Sequence, residues 1–575
     1  MLKRILRPKK VLFGLLGLLA ASYAKKKLSQ LSLKRKGQAK LNQRNSKTWQ
    51  FPFVPENIKQ YIISLSASSL AEAIRTGKVS SLQSVSTYCQ RAYEYGRDMF
   101  LTAEECFADA LEEAAKCDEE LSRGQIRGIL HGVPISIKEH ICMKGYTSTG
   151  GVVWRLDYPD EETAVVVEIL ISEGAIPFVR SNVSQSMMWC ECSNAIYGRS
   201  ENPWDRSKTT GGSSGGEGGL IAARLSPLGI GSDIGGSIRI PSAFCGVYSF
   251  RVTPQRLCYK AVKTSLEHNI EYLGFVAPES LGPLGRSVDD LILVVRSWFS
   301  KKMLNNDETL APIVFDEAAF STEKKRKIGY FYSTPLIEAP VAIANAVKRC
   351  ITELADKYEF VEFQIPNIGE ISRLFAIFFN AKGLNYFEES QKGEKPEPYY
   401  ALLITASKYP YLFNLLFSII RKIGYTRISD LLEIDHLVTA DDYVSKSRRL
   451  LELTDIVVKK WEELELDAVI CPVVGSVAPP HFKTPEIVHT FMFSSIWNAL
   501  KFPSGVVPVG VVKKDEAFFE DKFNDPVTWA CDRFMKDGCG LPIALQVVSF
   551  PYKDEVALSV MKSIEEIFKF DQHPL

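Results

Sequence analysis

The segment Gly231-Ser-Asp-Ile-Gly-Gly-Ser-Ile-Arg239, continued by Ile240 and Pro241, is where the reading of this chain is decided. A second glycine-serine run precedes it, Thr210-Gly-Gly-Ser-Ser-Gly-Gly-Glu-Gly-Gly219. Glycine opens backbone conformations closed to other residues and lets N–H groups approach a ligand. Outward from these segments the chain returns to alternating helix and strand texture. ILHGVPISIK (129–138) reads as a strand entering a tight site. Thr163 to Gly174 reads as a helix and AIPFVR (175–180) as a short buried strand. GVVPVGVV (505–512) and LPIALQVV (541–548) predict buried strands. Asn57 to Arg123 predicts a long helical region, with Leu70, Ile74, Leu82, Val85, Tyr88 and Ala92 at helical spacing. The alternation favours an α/β fold. No repeat recurs at a fixed period. No second Pro/Gly/Ser-rich linker divides the chain, so residues 57–575 are expected to form one catalytic domain.

Composition narrows the function classes. The 575 residues are 46% hydrophobic, enough for a large core. Lys and Arg number 69 against 68 Asp and Glu, so no global field attracts nucleic acid. The 12 cysteines are scattered, with one C-x-C pair at Cys190 and Cys192 and no zinc spacing. Reduced, mostly buried thiols are expected, and no metal.

The N-terminus carries Lys3, Arg4, Arg7, Lys9 and Lys10, then the apolar run Val11 to Ala24, then Lys25, Lys26 and Lys27. A full span needs about 20 apolar residues. The run also suits a signal-peptide core, with Ser22-Tyr23-Ala24 as a loose cleavage site. The lysines that follow at once favour an uncleaved anchor over 1–28, since flanking lysines can snorkel. Residues 29–56 read as a basic linker.

The Gly211–Gly215 stretch is a literal G-x-S-x-G. It is open to several readings: a flexible linker, a phosphate loop without its Lys-Ser/Thr ending, or a nucleophile elbow. An elbow needs a strand before it and Asp and His after it. NPWDRSKTT is a poor strand, and His268, His436, His481, His489 and His573 have no distinguishing context. A lysine can replace histidine as the base. Lys138 ends the apolar run HGVPISIK and is the candidate. Such a base must be neutral, which at pH 7 costs an ordinary lysine roughly 4–5 kcal/mol. Desolvation in an apolar site supplies a shift of that size.

Gly132 to Lys138, Gly211 to Gly219 and Gly231 to Pro241 together resemble the amidase signature family. GPLGRS from Gly282 and GLPIALQ from Gly540 resemble further family positions. The resemblance runs from about residue 57 to the C-terminus. It implies a central mixed, twisted sheet flanked by helices, and no cofactor. It also implies amide hydrolysis by a Ser-Ser-Lys triad through an acyl-enzyme. Carried over, Ser237 is the nucleophile, Ser213 the relay and Lys138 the base. The N–H groups of Ile234, Gly235, Gly236 and Ser237 match the oxyanion hole, and Met187 and Ser213 the substrate-binding positions. Ser214 is a supporting donor. Asp233 and Arg239 read as an ion pair bracing the loop.

Within that family the sequence is similar to the fatty-acid amide hydrolase subgroup. NVSQSMMW (182–189), CSNAIYGRSENPW (192–204) and the stretch ending FPSGVVP (502–508) carry this likeness. Tyr409 to Arg427, YPYLFNLLFSIIRKIGYTR, is aromatic, apolar and basic, as a membrane-binding cap should be, although core helices carry apolar stripes too. Phe375, Phe378 and Phe379 are candidates to line an acyl channel or to pack in the core. The expected partners are a lipid amide and membrane lipids, with a homodimer implied by the resemblance. The expected location is an endomembrane, with the catalytic domain in the cytosol. An amidase for short or polar amides, a glutamine-hydrolysing subunit and an inert lipid-binding scaffold are the alternatives.

Overall fold

The computed structural model describes residues 2–263, 279–379, 391–422, 424–425, 427, 439–520 and 522–575. Among these, eleven strands form one mixed sheet. They are β1 (Thr102–Glu105), β2 (Pro134–Lys138), β3 (Ile176–Ser181), β4 (Gly229–Asp233), β5 (Tyr248–Arg251) and β6 (Ser280–Gly285). The second half adds β7 (Arg326–Tyr330), β8 (Tyr358–Glu362), β9 (Ala468–Pro472), β10 (Ser504–Val511) and β11 (Pro542–Ser549). Their order across the sheet is β1-β3-β2-β4-β6-β5-β10-β11-β9-β7-β8. β2 runs parallel to both β3 and β4, whereas β4, β6, β5, β10, β11 and β9 alternate direction.

The central strands are buried along their whole length in β2, β4, β9 and β11. That follows from helices covering both faces, and it explains why PISIK and PIALQVVS read as near-continuous apolar runs. The five segments singled out in the sequence as strands or helix between residues 129 and 180 and after 505 all form as expected, within a few residues.

The region 57–123 is mainly helical, as helices Glu56–Ser64, Ala67–Arg75, Ser81–Arg91 and Phe107–Ser122, and departs from expectation in β1, which lies between the last two. Gly77 adopts φ +70° just past the second of these, and Ser80 with Gln83 builds a capping box that starts the third. β1 (TAEE) has weak strand propensity. It is strand because it pairs antiparallel with β3, Glu104 opposite Arg180.

The N-terminal segment also differs. Leu2–Ser46 is one helix, so residues 29–46 continue it rather than forming a linker. Its second half rests on the domain: Lys40 pairs with Glu104 at 2.7 Å, and buried Arg44 donates to the Thr102 carbonyl. No helix among the described residues is long and apolar enough to cross a membrane. The apolar run ends at Lys25, short of a span.

Pro410–Lys422 is a helix whose apolar face turns outward. Tyr411 is 90% exposed, and Leu412, Leu415, Leu416 and Ile419 are exposed beside it, while Phe417 faces in. Burial in the core is therefore not its role. All twelve cysteines are free thiols, and ten of them are buried.

Candidate active site

The site forms at one end of β2, β4 and β6. Lys138 is the last residue of β2, and its side chain is fully buried. Parallel pairing sets Ile137 opposite Ile230, which brings Lys138 beside the end of β4. Its Nζ lies 2.8 Å from Ser213 Oγ, 2.9 Å from Ser232 Oγ and 3.3 Å from the Ser232 carbonyl.

Ser213 stands just before the helix Gly215–Ala222, after a cis Gly212–Ser213 peptide bond. Ser237 lies in the turn between β4 and the helix Arg239–Cys245. The two glycine-serine segments are tied together: Ser214 N–H donates to the Ser237 carbonyl at 3.1 Å. Ser214 Oγ also donates to the Ser232 carbonyl at 3.2 Å. Ser213 and Ser237 face one small cavity, lined also by Met187, Ser232, Ile234 and Glu279. No histidine is among the residues lining it.

Glycine is required at two points. Gly236 has φ +119°, and a Cβ there would fall 2.7 Å from Ile240 Cδ1. A Cβ on Gly212 would fall 2.6 Å from both Ser184 Oγ and the Trp189 carbonyl. Phe375 stands over Gly235, 3.4 Å from where its Cβ would be. Phe378 instead packs edge-on against Tyr443, ring centroids 5.7 Å apart.

Burial pushes the Lys138 ammonium down to about 8, against the opposing field of Glu279, then Asp233, Cys192 and Glu217. The amine therefore loses its proton more readily than an ordinary lysine, beside a hydroxyl it already touches. Burial alone would raise the Asp233 carboxyl. The Arg239 guanidinium outweighs this, helped by Arg251 and Asn498, and holds it well below the ordinary carboxylate range. Arg239 donates to Asp233 through Nε at 3.0 Å, to the Ser494 carbonyl at 2.8 Å and to Gln546 Oε1 at 3.1 Å. The pair spans the turn between β4 and the helix Arg239–Cys245.

One expected donor has another partner. Gly236 N–H points to Asp233 Oδ1 at 2.7 Å rather than standing free for a ligand. An acidic side chain three residues back captures it, as Asp commonly does in turns.

Three site features escaped the sequence. Ser232 bonds Lys138 from inside the quoted motif, where only strand alternation could single it out. Glu279 joins the cavity through the pairing of β6 with β4, which has no local signal. Ser186 and Met187 both adopt left-handed backbone, φ +55° and +57°, without the Gly or Asn that marks such positions. Of the histidines, His268 and His436 lie outside the described residues.

A sequence profile described as Amidase matches residues 83–558. Fatty-acid amide hydrolase 1 of Sus scrofa is 32% identical over 537 residues, covering 90% of this chain and 88% of that protein. Fatty acid amide hydrolase 1 of Caenorhabditis elegans is 27% identical over 518 residues, covering 88% and 89%. A solved structure titled fatty acid amide hydrolase superposes with TM-score 0.80 at 22% identity, covering 95% of this chain and 96% of that one, a likeness of fold. The chain belongs to the amidase signature family and is a hydrolase that acts on amides.

Proposed function

We propose that this enzyme hydrolyses fatty-acid amides, N-acylethanolamines and primary fatty amides, at a membrane surface by a Ser-Ser-Lys triad. The contact between buried Lys138 and Ser213, in the cavity shared with Ser237, carries the reading. Neutral Lys138 takes the proton of Ser213 as Ser213 takes that of Ser237. Ser237 Oγ then attacks the amide carbonyl. The oxyanion is met by the N–H groups of Ile234, Gly235 and Ser237, with Gly236 engaged by Asp233. The relay runs back to protonate the leaving nitrogen, because an amide anion is a very poor leaving group. The acyl-Ser237 ester is hydrolysed by water activated along the same path, and the acid leaves. With a lysine near 8, about a tenth of the molecules hold the neutral base at pH 7.

The lipid preference rests on the outward apolar face of Pro410–Lys422 and on the basic N-terminal helix. Each buried CH₂ contributes about 0.8 kcal/mol, so long acyl chains concentrate in membranes. An enzyme docked there through an interfacial helix meets its substrate in place.

The test combines fluorophosphonate labelling with a series of amides from acetyl to long acyl. Labelling is expected at Ser237, with turnover rising with chain length. Preference for acetyl amides overturns the lipid reading, and an unlabelled wild type overturns catalysis by Ser237.

A further inference from the structure

Glu279 is a carboxylate in the cavity for which the triad has no use. It immediately precedes β6, which pairs antiparallel with β4: Ser280 opposite Asp233 and Leu281 opposite Ser232. β2 flanks β4 on its other side. Strand order therefore brings Glu279 and Lys138 to the same end of β4 from opposite sides, with Ser232 between them. Below, His140 Nε2 lies 3.4 Å from Glu279 Oε1, and the His140 side chain is fully buried. Burial drives His140 down to about 4, so it is neutral at working pH. Burial would raise the Glu279 carboxyl, but the neighbouring His140 and Lys138 hold it below its ordinary value.

We propose that Glu279, which shares the cavity with Ser232, is a positioning residue that steadies Lys138 through Ser232, to which Lys138 Nζ donates at 2.9 Å. This rests on Lys138 being the base. A relay lysine must do two opposed things. It must be neutral to start, yet accept a proton firmly enough to keep it until the leaving nitrogen needs it. Burial alone serves only the first. A base whose proton affinity lies far below working pH accepts protons poorly.

The other groups around Lys138 do not supply this counterweight. Asp233 is matched by Arg239 and Arg251. Glu217, on the helix Gly215–Ala222, is raised to about 7 by burial and accepts from Ser136. The Cys192 thiol is raised to about 12 and is neutral. Around Glu279 stand His140, Lys138, Ser232 and Tyr259, whose phenol burial pushes above its ordinary range. Glu279 is accordingly the largest influence opposing desolvation at Lys138.

The experiment measures kcat/KM and fluorophosphonate labelling from pH 6 to pH 10 in the full-length enzyme. Variants are Glu279→Gln, Glu279→Asp and Lys138→Ala. Removing the charge should move the acid limb down by about one pH unit, as loss of a nearby opposite charge does, and lower the plateau several-fold. Glu279→Asp, which keeps the charge, should keep the limb near its wild-type place. Glu279→Ala serves as a second neutral variant if Gln does not accumulate. A uniform fall with the limb unmoved, while Lys138→Ala is inactive, overturns the proposal alone. Wild-type labelling in Lys138→Ala overturns the triad reading itself.

Discussion

The Asp233 carboxylate receives Arg239 Nε at 3.0 Å and, through its other oxygen, the Gly236 N–H at 2.7 Å. One buried ion pair thus fixes the turn that carries Ser237. Removing Arg239 leaves buried Asp233 with only the more distant Arg251, 3.9 Å away, as its cation, and breaking such a buried pair costs about 3–5 kcal/mol. Arg239→Met should lose that much in urea unfolding and lose labelling of Ser237. Arg239→Met combined with Asp233→Asn should cost less than the two single changes together, as coupled sites do. Additive costs would show that the two residues act independently.

The proposed relay carries its own magnitudes. Ser237→Ala should abolish labelling. Ser213→Ala and Lys138→Ala should slow it by roughly 10²–10⁴-fold, the range of general acid–base catalysis. Wild-type activity should climb as pH rises through about 8, where Lys138 loses its proton. A profile set by a group titrating near pH 6 would point to a different base.

Lys138 should also make stability depend on pH. Its folded value, about 8, lies below its ordinary 10.5, so the unfolded chain binds more protons between those values. Stability should therefore rise with pH across that window. The full cost, present below about pH 8, is of order 3 kcal/mol at about 1.36 kcal/mol per unit. Lys138→Met should be inactive yet at least as stable as wild type at pH 7, with its advantage shrinking toward pH 10. Thermal melts at pH 7 and pH 10 decide this, and a wild type that weakens from pH 8 to pH 10 relative to Lys138→Met contradicts it.

Gly236→Ala places a methyl 2.7 Å from Ile240 Cδ1 on a backbone at φ +119°. The turn must shift, and the donors beside it shift too. Activity should fall at least 100-fold, the scale of one lost oxyanion donor. Circular dichroism should show the sheet intact.

The outward helix should matter only at an interface. Leu415→Glu with Leu412→Glu should weaken sedimentation with lipid vesicles by an order of magnitude or more. Turnover of a short soluble amide should stay unchanged. Equal loss on both substrates would mean that the helix supports the fold rather than the docking.

Much of this site is readable from contiguous residues. Ser213, Ser214 and Ser237 lie in runs whose glycines declare an unusual backbone, and Lys138 ends an apolar strand that could only be buried. The break between the second and third helices was also local, in Gly77 and the Ser80–Gln83 box, and long apolar periodicity masked it. β1 was not legible, because TAEE becomes strand only by pairing with β3.

By itself the sequence determined the α/β class, the family and part of the cavity lining, Ser213, Ser237, Met187 and Ile234, since these depend on local pattern and on short motifs. Tertiary structure alone decided that Gly236 N–H turns to Asp233, that Glu279 reaches the lysine's surroundings, and that Pro410–Lys422 faces outward. Each of these is set by groups distant in sequence or by which face of an element finds cover. Strand order and burial exist only once the chain has closed on itself.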